Sequence, residues 1–579
     1  MSFLRNLNYK RKAMLRILFL ISLFWIGCKS EPVVKEIISE EGKTVMAQNA
    51  GLASAHPVAT KIGVDVLKIG GNAIDAAIAT QFALAVCYPV AGNIGGGGFM
   101  VIRMNDGEVA TLDYREKAPG SAHRDMYLDA EGNVIDRLSI DGHLAAGVPG
   151  TVDGMVKAFE KYSKLKDWKA LIQPSIDAAR NGFNISEKQA NGFNRTMEKW
   201  LDLNTRTNAF TMKSEWKAGD LLKQPELANT LEAIRDQGED GFYRGWVADS
   251  LVAEMNRSNG IISKEDLSSY ESVWREPIEG TYRGHSIISM PPPSSGGIAL
   301  VQLLNILENY DLPSMGFHSP EAIHLVVEAE RRIYADRSTH LGDSDYYNVP
   351  REALLQKEYA KKRMKNFNSQ KATLSSDIKE GNVSKESEQT THYSVIDEQG
   401  NAASITTTLN TGYGSKVVVG GAGFFLNNEM DDFSSKPGFP NVYGLIGNEG
   451  NSIKAGKRML SSMTPAIVTE GGKVKIIVGT PGGSTIITSV LQTIMNIVDF
   501  DMTATEATAA CRFHHQWTPD MVFEESECLG EELSKILTEM GHKVQSRGKI
   551  GRVETILVNA DGSKEIAADP RGDDWSEGY

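Results

Sequence analysis

The sequence predicts a mixed helix and sheet protein of the α+β class, with enough chain for two lobes or one elaborate layered domain. The chain has 579 residues, more than a single hydrophobic core usually serves. Its composition, 41% hydrophobic and 23% charged, is typical of folded proteins and unlike that of disordered chains. Segments with helical periodicity alternate with strand-like segments, and no longer repeat is visible.

The N-terminus has the pattern of an export signal. The first 27 residues contain five basic side chains and no acid, and they end in an eleven-residue apolar run over 17–27. Such a run is too short to span a bilayer but matches the apolar region of a signal peptide. The next residue, Cys28, resembles the acylated cysteine of a bacterial lipoprotein, with plain secretion as the alternative. The polar and acidic residues 28–43 predict a tether before the folded body begins near Thr44.

Charge and cysteine content exclude several classes of protein. The net charge of −13 argues against binding nucleic acid or an anionic membrane surface through charge. The remaining cysteines, Cys87, Cys511 and Cys528, are widely spaced and odd in number, so we predict neither a disulfide framework nor a metal site. The zinc-protease, P-loop and G-x-S-x-G patterns are absent from the sequence, and no cofactor is predicted.

Hydrophobic periodicity assigns the first regular elements. Helices are predicted over 57–68 and 72–86, and strands over 99–104 and 109–114. Residues 366–389 interrupt this pattern because Ser, Lys, Glu, Asn and Gln dominate them and aliphatic residues are few. We therefore predict a flexible connector over 366–389.

A β-hairpin is predicted immediately after this connector. Residues 390–397 and 402–409 have strand-like sequences and flank a turn at Gln399-Gly400. A turn at this place pairs residues whose numbers sum to about 799, which places Thr390 opposite Thr408, Leu409 or Asn410.

Thr390 is the candidate nucleophile. A threonine that begins a buried strand straight after a flexible connector suits a chain that cleaves itself before that residue. Cleavage between Gln389 and Thr390 would expose an α-amine with a pKa of about 7.7 to 8.0, which can act as general base for the same residue's hydroxyl. Threonine also favours strands for packing reasons, so this pattern alone leaves a structural role open.

A glycine turn follows a second predicted hairpin. Strand-like residues 466–470 and 473–479 precede the sequence TPGGS and an apolar helix over 485–498. Gly482 and Gly483 would let backbone N–H groups at the helix start approach a ligand. This suits a developing oxyanion better than a phosphate, because no P-loop lysine follows. Close packing of strand on helix is the alternative explanation for the two glycines.

Several short motifs together resemble the γ-glutamyltranspeptidase family in order and spacing. They are QTTHYSVID, TLNTGYG, FLNNEMDDFS, KRMLSSM, GTPGGS and RFHHQW, preceded by HPVAT, GGNAIDAA, GNIGGGGFM, LDYREKAP, GVPGTV and PPPSSGG. The resemblance continues to the C-terminal DPRGDDWSEGY and covers residues 45–579. It implies a four-layer αββα sandwich of the N-terminal-nucleophile (Ntn) hydrolase type, cut into a large subunit, 44–389, and a small subunit, 390–579, that stay associated.

The resemblance also implies an activity and a set of catalytic residues. The expected enzyme is a γ-glutamyltransferase and glutathione hydrolase that transfers a γ-glutamyl group to water, an amino acid or a peptide through a threonine ester. Thr390 would be the nucleophile, Thr408 would hydrogen-bond it, and Gly482 and Gly483 would hold the oxyanion. No cofactor is implied, and His514 and His515 are interpreted as structural.

The same resemblance implies how the glutamyl head group is bound. Arg115, Ser461 and Ser462 match the residues that bind the α-carboxylate, and an arginine can hold a carboxylate through two parallel hydrogen bonds. Asn410, Glu429 and Asp432 match the residues that bind the α-ammonium group. Residues 437–448 resemble a lid loop in which Tyr443 closes over the bound group.

Rival functions stay open at this point. Cephalosporin (glutaryl) acylases share the scaffold, and the ammonium-binding set favours an amino-acid head group over a glutaryl group. A poly-γ-glutamate depolymerase is a second enzymatic alternative, against which the lid with Tyr443 argues. An inactive lipid-anchored binding protein would have the same export signal but no self-cleavage. We expect an exported, periplasmic protein that contacts the membrane only through its lipid anchor.

Overall fold

Two seven-stranded antiparallel sheets form the centre of the protein. The computed structural model describes residues 42–379 and 390–579, apart from 437, 438, 440, 443, 446, 448 and 527. In spatial order, sheet I contains Thr44–Ala47, Lys564–Ala567, Glu554–Val558, Lys473–Gly479, Ala466–Glu470, His285–Ser289 and Ile278–Tyr282. Sheet II contains Trp575–Gly578, Gly51–Ser54, Thr391–Ile396, Ala402–Thr408, Gly97–Arg103, Val109–Asp113 and Val273–Arg275.

The two sheets pack face to face, and strand alternation decides which side chains lie between them. In the strand Gly97–Arg103, Phe99 and Val101 belong to the core shared with sheet I, whereas Met100 and Ile102 belong to the core on the other face. Hydroxyl groups also join the sheets. The Ser394 hydroxyl donates to the carbonyl of Glu554 over 3.1 Å, and the Ser404 hydroxyl donates to the carbonyl of Val478 over 3.1 Å.

Helices cover both outer faces and complete four layers. Helices Pro57–Lys68, Ala73–Cys87, Thr151–Tyr162 and Trp168–Asn181 share the core of sheet II. Helices Gly296–Leu307, Pro320–His340 and Thr485–Val498 share the core of sheet I. The other helices are Glu187–Leu203, Pro225–Gln237, Asp240–Tyr243, Gly245–Met255, Lys264–Ser268, Leu312–Met315, Arg351–Leu354, Lys357–Arg363, Ala504–Ala509 and Gly530–Glu539. The αββα sandwich is therefore confirmed.

The predicted elements form close to their expected limits. Helix Pro57–Lys68 agrees with its prediction, and the next helix begins at Ala73 because Asn72 caps it. The Asn72 side chain accepts hydrogen bonds from the N–H groups of Ile74 and Asp75, and the Asp75 side chain accepts one from the N–H of Asn72. Short strands Phe183–Asn184 and Leu221–Leu222 form a separate pair.

One prediction about the cysteines is wrong. Cys511 and Cys528 form a disulfide, with their Cα atoms 5.5 Å apart, and Cys87 is a buried free thiol. The chain reverses between the two cysteines, because Phe513–His514 pairs antiparallel with Val522–Glu525, which in turn pairs parallel with Val544–Arg547. Distance along the sequence therefore gave no indication of how close these residues lie.

The first part of the predicted connector is held against the body rather than free of it. The Thr373 hydroxyl donates to Glu328 over 2.6 Å, and the indole N–H of Trp517 donates to the carbonyl of Ser375 over 3.0 Å. Residues 380–389 lie outside the described residues, as do the predicted signal segment and Cys28. Within the described ranges, no helix is both long and apolar enough to cross a membrane.

Candidate active site

The pairing at the start of the hairpin places Thr390 beside Thr408. Thr391 pairs with Thr407, so the next residues outward, Thr390 and Thr408, stand opposite each other, as the turn predicted. Both are buried. The backbone N–H of Asn410 donates to the Thr408 hydroxyl oxygen over 2.7 Å, which leaves the hydroxyl hydrogen of Thr408 available to donate.

The glycine turn lies at the start of helix Thr485–Val498. Gly482 has a φ of 139° and Gly483 a φ of 56°, a region of backbone space that side chains rarely adopt. A β-carbon at Gly482 would also lie 2.4 Å from the Thr485 hydroxyl oxygen. Gly482 therefore requires glycine, and the backbone at Gly483 favours it. Gly482 and Gly483 each border a cavity that Thr390 also borders.

Most of the predicted site residues line one cavity, which we name the Arg115 cavity. It brings together Arg115, Thr390, Thr408, Asn410, Glu429, Asp432, Ser461, Ser462 and Gly483. These residues come from distant parts of the sequence, since Arg115 follows the strand Val109–Asp113 and Glu429 to Asp432 form a short helical turn. The sequence therefore identified residues that the fold assembles in one place.

Arg115 is the centre of a buried charge network. Its guanidinium group forms ion pairs with Glu429 and Asp432, and lies 3.7 Å from the carboxylate of Glu116. Arg115, Glu116 and Glu429 are each 1% exposed or less. Arg115 thus faces three carboxyl groups and forms hydrogen bonds with two of them, Glu429 and Asp432.

Burial and these neighbours shift the pKa values in opposite directions. Burial raises the pKa of Glu116 to about 8 and raises that of Glu429 well above its usual range, although Arg115 opposes both shifts. Burial disfavours the charge on Arg115, but Glu429 and Asp432 outweigh it and raise its pKa. At neutral pH Glu116 therefore keeps its proton in most molecules.

Ser461 and Ser462 line the cavity beside a cation that was not predicted from the sequence. Arg337 donates to the Ser462 hydroxyl over 3.0 Å and to the Ser295 hydroxyl over 2.9 Å, and it lines the same cavity. It belongs to helix Pro320–His340, whose many charged residues resemble a solvated face in sequence. Only the position of the helix reveals that Arg337 is buried.

Part of the predicted lid also borders the cavity. The Asn441 side chain donates to Asp432 over 3.0 Å, and Leu445 and Gly447 line the cavity wall. Tyr443 itself lies outside the described residues, as does Gln389.

His514 and His515 bond to groups within the fold. His514 contacts the hydroxyl of Thr488 over 2.9 Å, and the Nδ1 atom of His515 accepts a hydrogen bond from the backbone of Trp517. Neither histidine lines the Arg115 cavity.

Two facing sheets between helical layers, with a threonine before a central strand, define the class of Ntn hydrolases. The model of the gamma-glutamyltranspeptidase family matches residues 59–579, and the chain belongs to this family. A glutathione hydrolase proenzyme of Escherichia coli is 47% identical over 539 residues, which cover 92% of this chain and 93% of that protein. The protein is therefore an enzyme of the Ntn-hydrolase type.

Two solved structures agree with this assignment. Helicobacter pylori gamma-glutamyltranspeptidase is 49% identical, with a TM-score of 0.55 over 56% of this chain and 93% of that chain. A cephalosporin acylase from Bacillus halodurans has a TM-score of 0.80 and 26% identity, covering 96% of this chain and 99% of that chain. The second comparison shows that this fold also serves a different acylated substrate.

The raised pKa of Glu116 predicts how stability depends on pH. The folded protein keeps this proton up to about pH 8, whereas an unfolded glutamic acid loses it near pH 4.3. Between these values the unfolded state binds fewer protons, so Glu116 lowers the free energy of unfolding as pH rises. Glu116→Gln removes this effect. Its stability relative to the parent should therefore increase by roughly 2–4 kcal/mol between pH 5 and pH 8.5.

Thermal unfolding midpoints at both pH values measure this difference. Both proteins are prepared in a Thr390→Ala background so that cleavage does not differ between samples. The exposed Glu279→Gln is the matched control for the replacement of a glutamate by glutamine. A Glu116→Gln variant whose relative stability is the same at both pH values would show that Glu116 is ionised in the folded protein.

Proposed function

We propose that the chain is a γ-glutamyltransferase and glutathione hydrolase, matured by cleavage between Gln389 and Thr390. The observation that supports this most directly is the position of Thr390, which stands opposite Thr408 and borders the Arg115 cavity. The relatives named glutathione hydrolase proenzyme support both the substrate and the processing. The two products, residues up to 389 and 390–579, would stay together because strands from both contribute to each sheet.

Cleavage would give Thr390 its own general base. The new α-amine has an expected pKa of about 7.7 to 8.0, so part of it is neutral near neutral pH. It can take the proton of the Thr390 hydroxyl while the oxygen attacks the γ-carbonyl carbon of the donor. Thr408, whose oxygen already accepts from the Asn410 N–H, would donate its hydroxyl hydrogen to the attacking oxygen.

Acyl transfer then takes place in two balanced steps. In the first, the donor C–N bond breaks, the Thr390 ester forms, and the proton on the α-amine passes to the departing amine. In the second, water or an acceptor amine attacks the ester, the C–O bond breaks, and its proton returns to Thr390 through the same α-amine. Backbone N–H groups of Gly482 and Gly483 would stabilise the oxyanion in both steps.

The Arg115 cavity has the groups needed for both charges of the glutamyl head group. Arg115, with Ser461 and Ser462, would bind the α-carboxylate, and Arg337 adds a second cation beside Ser462. Glu429 and Asp432 would bind the α-ammonium group together with Asn410. Arg115 pairs directly with Glu429 and Asp432. A head group with one positive and one negative charge can replace these pairs, because its carboxylate would pair with Arg115 and its ammonium group with the two acids.

A glutaryl acylase is the second candidate, and the Bacillus halodurans structure supports it at the level of the fold. A glutaryl group has the carboxylate but not the ammonium group. Binding it at Arg115 would displace Glu429 and Asp432 and leave buried acids without a cation. The charge arrangement therefore favours the γ-glutamyl substrate.

Kinetics with paired substrates distinguish these functions. The enzyme should hydrolyse γ-glutamyl-p-nitroanilide at least ten times faster than glutaryl-p-nitroanilide. Arg115→Lys should raise the KM for the γ-glutamyl substrate about tenfold or more, because lysine cannot make the two parallel hydrogen bonds. Self-cleavage should remain, since Arg115 binds the substrate and not the scissile bond.

The exposed Arg244→Lys is the control for this substitution. An unchanged KM in Arg115→Lys would refute its assignment. Faster turnover of the glutaryl substrate by the unaltered enzyme would favour the acylase.

Export and lipid anchoring are a further part of the proposal, based on the sequence of residues 1–28. We expect Cys28→Ala to move the protein from the membrane fraction to the soluble fraction of cells, since one acyl-bearing cysteine is the only predicted attachment. Ser30→Ala, two residues further on, should remain in the membrane fraction. If Cys28→Ala also remains there, lipidation at Cys28 does not explain the attachment.

A further inference from the structure

The disulfide between Cys511 and Cys528 lies beside a histidine. The Nδ1 atom of His318 is 3.9 Å from the Sγ atom of Cys511, and the potential ligand atoms of the three side chains all lie within 4.8 Å of one another. All three residues are half-buried, so each keeps some exposure to solvent. We name these three residues the Cys511 cluster. They provide sulfur and imidazole nitrogen, which are the donors that zinc prefers in proteins.

Hydrogen bonds hold the two cysteines close together independently of the bond between their sulfurs. The backbone N–H of Glu525 donates to the carbonyl of Arg512 over 3.0 Å, and the N–H of Arg512 donates to the Glu525 carboxylate over 3.0 Å. The N–H of Cys528 donates to the carbonyl of Glu525 over 2.9 Å, and Arg571 donates to the Glu525 carboxylate over 2.6 Å. The Cα separation of 5.5 Å between Cys511 and Cys528 should therefore persist when the disulfide is reduced.

Aromatic neighbours fix the orientation of the His318 ring. The ring stacks on Phe317 with the centroids 3.9 Å apart, and it meets the edge of Phe513 at 5.7 Å. His318 also immediately precedes Ser319, whose side chain caps helix Pro320–His340. Among the described residues, only the Cys511 sulfur makes a hydrogen-bond contact with a ring nitrogen of His318. The Nδ1 lone pair therefore has no competing oxygen partner in the described part of the chain.

The distances in the Cys511 cluster are close to those of a zinc site. Tetrahedral zinc binds sulfur at about 2.3 Å and imidazole nitrogen at about 2.0 to 2.1 Å, which places two sulfurs about 3.8 Å apart and a sulfur about 3.6 Å from a nitrogen. The present distance of 3.9 Å between Sγ of Cys511 and Nδ1 of His318 is near the last value. Only the two sulfurs have to move apart, and breaking the disulfide permits this. Three protein ligands leave one position for water.

We propose that reduction of the Cys511–Cys528 disulfide creates a zinc site formed by both thiolates and the Nδ1 atom of His318. The inference goes beyond the proposed function and does not depend on it. Zinc would bind the two thiolates and the neutral imidazole, so the site would exist only in the reduced protein.

The reductant is a low-molecular-weight thiol, and two molecules of it are consumed. The first thiolate attacks one sulfur of the disulfide, which forms a mixed disulfide and releases the other cysteine as a thiolate. The second thiolate attacks the small-molecule sulfur of the mixed disulfide. This step releases the remaining cysteine and yields the oxidised small-molecule disulfide, so two electrons pass to the protein.

Cobalt(II) is the probe, because it occupies the same kind of site as zinc and absorbs light when a thiolate binds it. The test protein is Cys28→Ala/Cys87→Ala, whose only cysteines are Cys511 and Cys528. It is reduced with 2-mercaptoethanol, which has no γ-glutamyl group, and this thiol is removed under argon before cobalt is added. We expect a thiolate-to-cobalt charge-transfer band that saturates at one cobalt per chain and disappears when zinc is added. The oxidised protein should show no such band.

Two substitutions distinguish this site from nonspecific binding. His318→Ala should weaken cobalt binding at least about tenfold, because one of the three protein ligands is lost. His123→Ala is the matched control, since His123 is exposed and does not belong to the cluster, and it should bind cobalt like the test protein. Hydrolysis of the γ-glutamyl substrate by His318→Ala should remain unchanged, because His318 does not line the Arg115 cavity.

Several results would overturn the inference. They are a disulfide that the thiol does not reduce in the folded protein, a reduced protein that binds no cobalt, and equal cobalt binding by His318→Ala. Loss of the circular dichroism spectrum on reduction would also contradict it, because the fold has to hold the two cysteines without their bond. The comparison of oxidised with reduced protein uses a single preparation, so it decides the question even if His318→Ala does not fold.

Discussion

The antiparallel pairing of Thr391–Ile396 with Ala402–Thr408 is the constraint on which the site depends. It lies in the middle of sheet II, where buried backbone groups have to pair and a one-residue slip would exchange the two faces. The register therefore has little freedom. It fixes Thr390 at the end of its strand, opposite Thr408, while the neighbouring strand Gly97–Arg103 holds Thr408 from the other side.

The second constraint is electrostatic. Arg115 is buried with an excess of carboxyl groups, an arrangement that is unfavourable unless the charges are paired. Arg115 pairs with Glu429 and Asp432, and burial raises the pKa values of Glu116 and Glu429. A zwitterionic head group, as the proposed function requires, would give both Arg115 and the acids a partner of opposite charge. Thr390 also borders a second cavity, which Gly482 lines.

Much of the fold and of the site could be predicted from the sequence. The patterns that indicate strands, turns and helices are local, and the site residues lie in short motifs that resemble the family's. The hairpin was predicted from two strand-like segments that flank a turn, and its register from the number of residues between that turn and each paired position. The helix after Gly482 and Gly483 followed from an apolar run behind a glycine turn. What could not be predicted depends on long-range packing. The Cys511–Cys528 bond requires the chain reversal between Phe513 and Val522. Arg337 is buried only because other elements cover its helix.

The measurement that tests this account most directly is the intact mass of the protein expressed from Glu31 onward, compared with its Thr390→Ala variant. The unaltered protein should give two associated chains, 31–389 and 390–579, with threonine at the new N-terminus. The variant should remain one chain with the same circular dichroism spectrum. A folded, uncut chain in both samples, or a cut at another residue, would contradict the assignment of Thr390 as the nucleophile.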